Sequence, residues 1–200
     1  STWTTLFMIS SAPAVSAWLV PDGAVRRIVA SIDNLPREKV AEKIRAVRPV
    51  PGAFIVDRSP IDAATGEERI TLATANYVRY EPAVRLLTAL DVRQVGLLYR
   101  SYYPLFQQAY EDLGYPGRYF NDRLVEVIDH LLEAPVPAEP PALVQPKAMY
   151  EFADVAMEER SAGQKLMIRM GPQNAARVKE HLVALRAEVT RAIPPQEISP

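Results

Sequence analysis

Between residues 91 and 134 the apolar positions fall into two helical registers joined by a turn. Val92, Val95, Tyr99, Tyr102, Phe106, Ala109 and Leu113 succeed one another at steps of three and four, which puts them on one helix face. Asp91 is placed to cap the free amides of the first turn, and Gly114 sits where a left-handed residue ends a helix. Pro104 falls inside the pattern, so a bend or break is predicted near Ser101–Pro104. Pro116 and Gly117 then suit a reversal, and Asn121 or Asp122 can cap a second helix with the stripe Leu124, Val125, Ile128, Leu131 and Leu132. This second helix turns Arg123, Glu126, His130 and Glu133 to solvent. The two stripes predict an antiparallel helical hairpin around which the rest of the chain is organised.

The same logic places elements on either side. Pro21-Asp22-Gly23 opens a helix whose inner face is Val25, Ile28, Val29, Ile32 and Leu35, with Arg26, Arg27 and Asp33 directed elsewhere. The segment 37–49 reads as a shorter helix stopped by Pro49. AFIVDR (Ala53–Arg58) and ERITLA (Glu68–Ala73) predict a β-hairpin, and ALVQ (Ala142–Gln145) or MYEF (Met149–Phe152) can supply a third strand, because two strands alone are marginal. One turn at Asn76–Tyr80 precedes a helix starting at Pro82, with Val84, Leu87 and Leu90 inward. The proline run between Pro135 and Pro146 predicts an extended crossover. Asp154 and Ser161 cap helical turns, the second burying Leu166, Met167 and Met170. Gly171 ends that helix, and Pro172 begins a last one with Val178, Leu182, Leu185 and Val189 inside. The fold class is mainly α: a single-domain helical bundle over residues 1–193 with a minor β-hairpin or small sheet, and a loose tail at 194–200.

Composition narrows the classes of function. A chain of 200 residues, 48% hydrophobic and 24% charged, is long enough for one core without staples. A net charge of −1 lacks the general pull that nucleic acid exerts on a basic protein, so no nucleic-acid partner is expected. Seven basic against three acidic residues between Arg26 and Arg48 make that region locally positive, which suits either a solvated face or a phosphate or headgroup contact. The absence of cysteine excludes disulfides, thiol nucleophiles and thiolate metal sites. Residues 1–21 carry no charge, but Pro13 and frequent Ser and Thr argue against a span, so two buried helical turns are predicted.

Candidate chemistry is sparse. The chain has no Gly-Lys-Ser/Thr phosphate loop, GxSxG, HExxH or GxGxxG. A histidine base would have to be His130, with Glu126 and Glu133 near in sequence, or His181. Asp122, Glu126, Asp129 and Glu133 share a ridge, with Glu111 and Asp112 across the turn. Such acids serve glycan or peptide hydrolysis when two converge in a cleft, or a hard cation when several do, and otherwise form a wet helix side. The most distinctive surface is the turn with Tyr115, Arg118, Tyr119, Asn121, Asp122 and Arg123. Aromatic rings beside forked guanidinium donors are a combination favoured in recognition, although Tyr119 and Phe120 equally suit a hairpin plug with Arg118 bonding helix-end carbonyls. No catalytic residue, metal ligand or cofactor is assigned, and a small-molecule or lipid cavity between helices leaves no sequence signature.

YEDLGYPGRYFNDRLVEVIDHLL (Tyr110–Leu132), VRRIVASIDNLPR (Val25–Arg37) and SAGQKLMIRMGPQNAARVK (Ser161–Lys179) together resemble a bacterial family of unknown function, and the resemblance covers nearly the whole chain. It implies an envelope protein: members carry an N-terminal membrane anchor and a proline-rich linker that this sequence lacks. The implied setting is an inner-membrane anchor with the soluble domain in the periplasm and an unknown envelope protein as partner. The oligomeric state is left open.

Overall fold

The computed structural model describes residues 23–38, 45–61, 66 and 68–192. Expectations for residues 1–22, 39–44 and the tail lie outside them. Seven helices make up 58% of the described residues, and four very short strands form one sheet, so the protein is mainly α with a minor sheet. The helices are α1 (Ala24–Asn34), α2 (Ala75–Thr88), α3 (Val92–Asp112), α4 (Phe120–Leu132), α5 (Val155–Glu158), α6 (Ala162–Arg169) and α7 (Pro172–Ala192). The strands β1 (Val56–Arg58), β2 (Ile70–Leu72), β3 (Ala142–Val144) and β4 (Glu151–Phe152) are antiparallel in that order. Both candidate third strands therefore pair. In register, Ile70 faces Leu143 and Leu143 faces Phe152.

The caps act as the sequence suggests in three places. The Asp91 carboxylate accepts from the amides of Arg93 (2.9 Å) and Gln94 (3.0 Å), Asp154 accepts from Ala156 (2.8 Å), and Ser161 accepts from Gln164 (3.2 Å). Neither Asn121 nor Asp122 caps α4, which begins before both, at Phe120, behind an N-cap Tyr119 that makes no side-chain cap bond. Arg45–Arg48, the described end of the segment read as a second helix, is not helical.

The prolines sit differently from the sequence reading. Residues 92–112 form one helix with Pro104 inside, so of the expected bend or break the break does not occur, and α2 starts at Ala75, so Pro82 is an interior residue rather than its first. A proline leaves the carbonyl four residues back without its donor. Here those positions are Arg100 and Val78, both exposed, so water can take the place of the missing amide.

The bundle core gathers Val29, Val84, Tyr99, Tyr110, Phe120, Leu124, Ile128, Met167, Val178, Leu182 and Val189. Its hub is α7, which packs on α2, α3, α4 and α6, and α3 and α4 lean more on α7 than on each other. The mid-chain hairpin is thus two walls around the last helix. A separate small core sits beneath the sheet, where Leu72, Leu143 and Phe152 meet Ile168 of α6. The inward readings of Leu90, Leu113 and Leu166 fail, since these side chains are 37%, 38% and 40% exposed.

The ends of α1 and α6 satisfy each other. The amides of Ala162 and Gly163 donate to the carbonyls of Arg37 (2.8 Å) and Leu35 (2.9 Å), so free donors at one helix start meet free acceptors just beyond another helix end. Glycine is required for this approach: a β-carbon at 163 would lie 2.6 Å from Leu131 Cδ2 and 3.0 Å from the Leu35 carbonyl oxygen.

Candidate functional site

The turn between α3 and α4 is braced from both sides. On the α3 side Gln107 holds its backbone: Nε2 donates to the Arg118 carbonyl (2.8 Å) and Oε1 accepts from the Phe120 amide (2.9 Å). The same side chain is fixed by Tyr103, whose hydroxyl donates to Oε1 (3.1 Å), and by Glu111, which accepts from Nε2 (2.8 Å). Phe120 is fully buried and stacks on Phe106 at 5.9 Å, so it is the plug of the hairpin. Tyr115 stacks on Tyr110 at 4.7 Å.

On the other side lies an acid that the sequence pattern directs away from the core. Asp33 of α1 is only 2% exposed. Its Oδ1 accepts from Arg123 Nε (2.9 Å), and its Oδ2 accepts from an Arg37 terminal nitrogen (2.7 Å) and from the Tyr115 hydroxyl (3.2 Å). A second Arg123 nitrogen reaches the Asp33 carbonyl at 3.0 Å. Burial works against the charge of Arg123. Hydrogen bonds and attraction from Glu126 and Asp33 outweigh it and hold the guanidinium above its ordinary value. Asp33 therefore ties α1 to the start of α4 and to the turn.

These braces divide the six candidate residues. Tyr115 and Arg123 are spent on Asp33, and Asn121 is buried with its Oδ1 accepting from the Tyr99 hydroxyl (3.2 Å). Burial first, with Tyr103 and Asp122 nearby, pushes the Tyr99 hydroxyl far up, so it remains a donor. Arg118 is exposed, and Tyr119 and Asp122 are half-buried. The side chain of Arg118 makes no ion pair or hydrogen bond to the described residues, and Tyr119 joins no ring cluster among them. Partial burial and the nearby Glu126 raise the Asp122 carboxyl above the ordinary aspartate range.

The acidic ridge does not converge. Asp129 is bidentate with Arg186 of α7 (2.5 and 2.9 Å), Glu126 pairs with Arg123 (3.2 Å), and Asp112 pairs with Arg26 of α1 (3.3 Å). The Arg186 hydrogen bonds draw Asp129 below its ordinary value. Among the described residues no three acids or histidines sit close enough to hold a metal ion.

His130 meets neither Glu126 nor Glu133 in a hydrogen bond. Its Nε2 lies 2.7 Å from Ser161 Oγ. That hydroxyl also accepts from the Gln164 amide, and the ring tautomer sets whether His130 Nε2 accepts from it or donates to it. The pair resembles a nucleophile with its base, but the adjoining amides of Ala162 and Gly163 are spent on α1 carbonyls and leave no donor there for an oxyanion. Burial lowers His181, the other histidine, below its ordinary value.

Helical bundle, minor sheet and braced turn define a mainly α domain. Residues 24–186 match the protein family described as protein of unknown function (DUF3014), and the chain belongs to that family. No curated protein matches the chain. No solved structure matches it either.

Proposed function

We propose that this domain is a protein-interaction module of the bacterial cell envelope and that the α3–α4 turn carries its contact surface. One observation carries the reading: the turn is clamped from within by Gln107, Phe120 and the Asp33 cluster, while Pro116, Gly117 and Arg118 at its tip are exposed beside a half-buried Tyr119. A loop held rigid before binding loses little conformational entropy on association, and an arginine beside a tyrosine supplies forked donors together with apolar area.

The envelope setting is supported by the resemblance of the chain to a family whose members carry a membrane anchor. No helix among the described residues is long and apolar enough to cross a bilayer. The proposed topology is an inner-membrane anchor preceding this domain, with the domain in the periplasm. Fractionation and protease accessibility of the full-length protein in intact cells test it, and a domain protected on the cytoplasmic side refutes it.

The contact surface is tested by cross-linking in cells followed by affinity capture. Wild-type protein is expected to retain a reproducible partner that the Arg118→Ala/Tyr119→Ala double variant loses, with an unchanged melting temperature. Equal capture by both proteins overturns the assignment of the turn.

A further inference from the structure

At the other end of α3 lies a second surface. Arg93, Leu97 and Arg100 follow at steps of four and three on one face of α3, and Glu188 and Arg191 come from the last turns of α7. Together they line an open cavity of about 420 Å³. Gly96 makes the geometry possible: a β-carbon there would lie 2.4 Å from Glu188 Cγ, so only glycine lets this side chain lie on the helix backbone. Glu188 is consequently mostly covered, its side chain 15% exposed, and Arg191 donates to it. The hydrogen bond to Arg191 first, and the charges of Arg93 and Arg100 behind it, hold Glu188 below the ordinary glutamate range.

Glu188 gathers three guanidinium groups and pairs with one of them, Arg191. Neither Arg93 nor Arg100 makes an ion pair or hydrogen bond with another side chain among the described residues, and both are exposed. Three arginines against one glutamate leave a surplus of two positive charges around the opening. Guanidinium forks match the oxygen spacing of a phosphate, and one phosphate can accept from two guanidinium groups at once. Leu97, which lines the same opening, is 50% exposed, so the charged rim includes an apolar side chain.

We infer that the Arg93–Arg100–Arg191 cavity is an anion site for a phosphate group, carried either by the headgroup of an anionic lipid or by free phosphate. The inference is independent of the α3–α4 turn, which lies about 24 Å away at 1.5 Å per residue along α3.

The experiment uses the full chain and two probes. Flotation with phosphatidylglycerol vesicles, against phosphatidylcholine vesicles as the neutral control, tests the lipid source. Titration with inorganic phosphate, followed through the backbone amides of Arg93, Leu97, Arg100 and Arg191, tests the free one. Binding to either probe is expected to weaken with salt. It should fall at least tenfold in the Arg93→Ala/Arg100→Ala double variant, since each basic side chain near an anionic surface contributes about fivefold. Both residues are exposed, so an unchanged melting temperature is expected to accompany the loss. Binding to vesicles identifies a headgroup; phosphate shifts without flotation identify the free ion. The inference is overturned if neither probe binds or if the double variant binds as the wild type does. The Arg118→Ala/Tyr119→Ala variant is expected to keep this binding, which separates failure here from failure of the interaction surface.

Discussion

Asp33 illustrates how much one side chain can hold. A carboxylate 2% exposed, with two guanidinium partners and a phenol, is stabilising only as a complete set, because removing the acid leaves the partly buried Arg123 with the exposed Glu126 as its remaining counter-charge. Asp33→Ala is expected to cost on the order of 3 kcal/mol in chemical denaturation. A cost below about 1 kcal/mol would mean that the cluster is an incidental surface pairing. Asp122 points the other way. Its folded carboxyl is raised by partial burial and by Glu126, so its ionised form opposes folding at neutral pH. Asp122→Asn should therefore be more stable than wild type at pH 7. The difference should shrink as pH falls through the raised folded value and vanish below the ordinary 3.8, where both states bind the proton. Thermal melts across that range check the sign. Arg37 is four residues from Asp33, but the acid's other partners, Tyr115 and Arg123, lie 82 and 90 residues away, beyond any local pattern. Its own position was misread: the pattern directed Asp33 outward with Arg26 and Arg27, yet it follows Val29 by four and lies on the side of α1 that is buried, where an acid demands a partner.

At the scale of elements, periodicity located most helices, the two hairpin strands and, as alternatives for a third, the two segments that both pair, and it erred where backbone chemistry depends on what lies outside the element. Pro82 and Pro104 do not interrupt α2 and α3, and the residues that lose a backbone donor to them, Val78 and Arg100, are exposed. Which face is outward is settled only once the neighbours are in place. Likewise α4 begins at Phe120 rather than behind an Asn121 or Asp122 cap, since burying that ring and hydrogen-bonding its amide to Gln107 displaces the polar cap. The α1–α6 junction leaves no mark beyond a glycine. Gly163→Ala gains the small helix preference of alanine but forces a methyl against Leu131 and the Leu35 carbonyl. The net loss is expected to be about 1–3 kcal/mol. Chemical denaturation decides this, and an equally stable variant would show that the junction yields at little cost.

For the molecule as a whole, the apolar pattern identified the mid-chain hairpin but not that α7 is its hub, because periodicity says which face is buried and not against what. It was equally silent on the division of the interior into two cores. The bundle core spans six helices, whereas the sheet core has four buried side chains and rests on strands of two or three residues. Short strands hold few ladder bonds, so the sheet should open locally at lower free energy than the bundle. The joint is α6, where Met167 faces the bundle core and its neighbour Ile168 the sheet core. Ile168→Ala removes apolar contact from one core only, and truncation of a buried isoleucine costs about 2–5 kcal/mol. Native-state hydrogen exchange should therefore show the amides of Ser59, Leu72 and Ala73 losing protection in this variant, while amides in the middle of α3, α4 and α7 keep most of theirs. Met167→Ala should lower protection in the bundle instead, and opening of the bundle releases the sheet as well, because α6 then loses its seat. Equal loss at both sets of amides in the Ile168 variant would show that the two cores open as one cooperative unit.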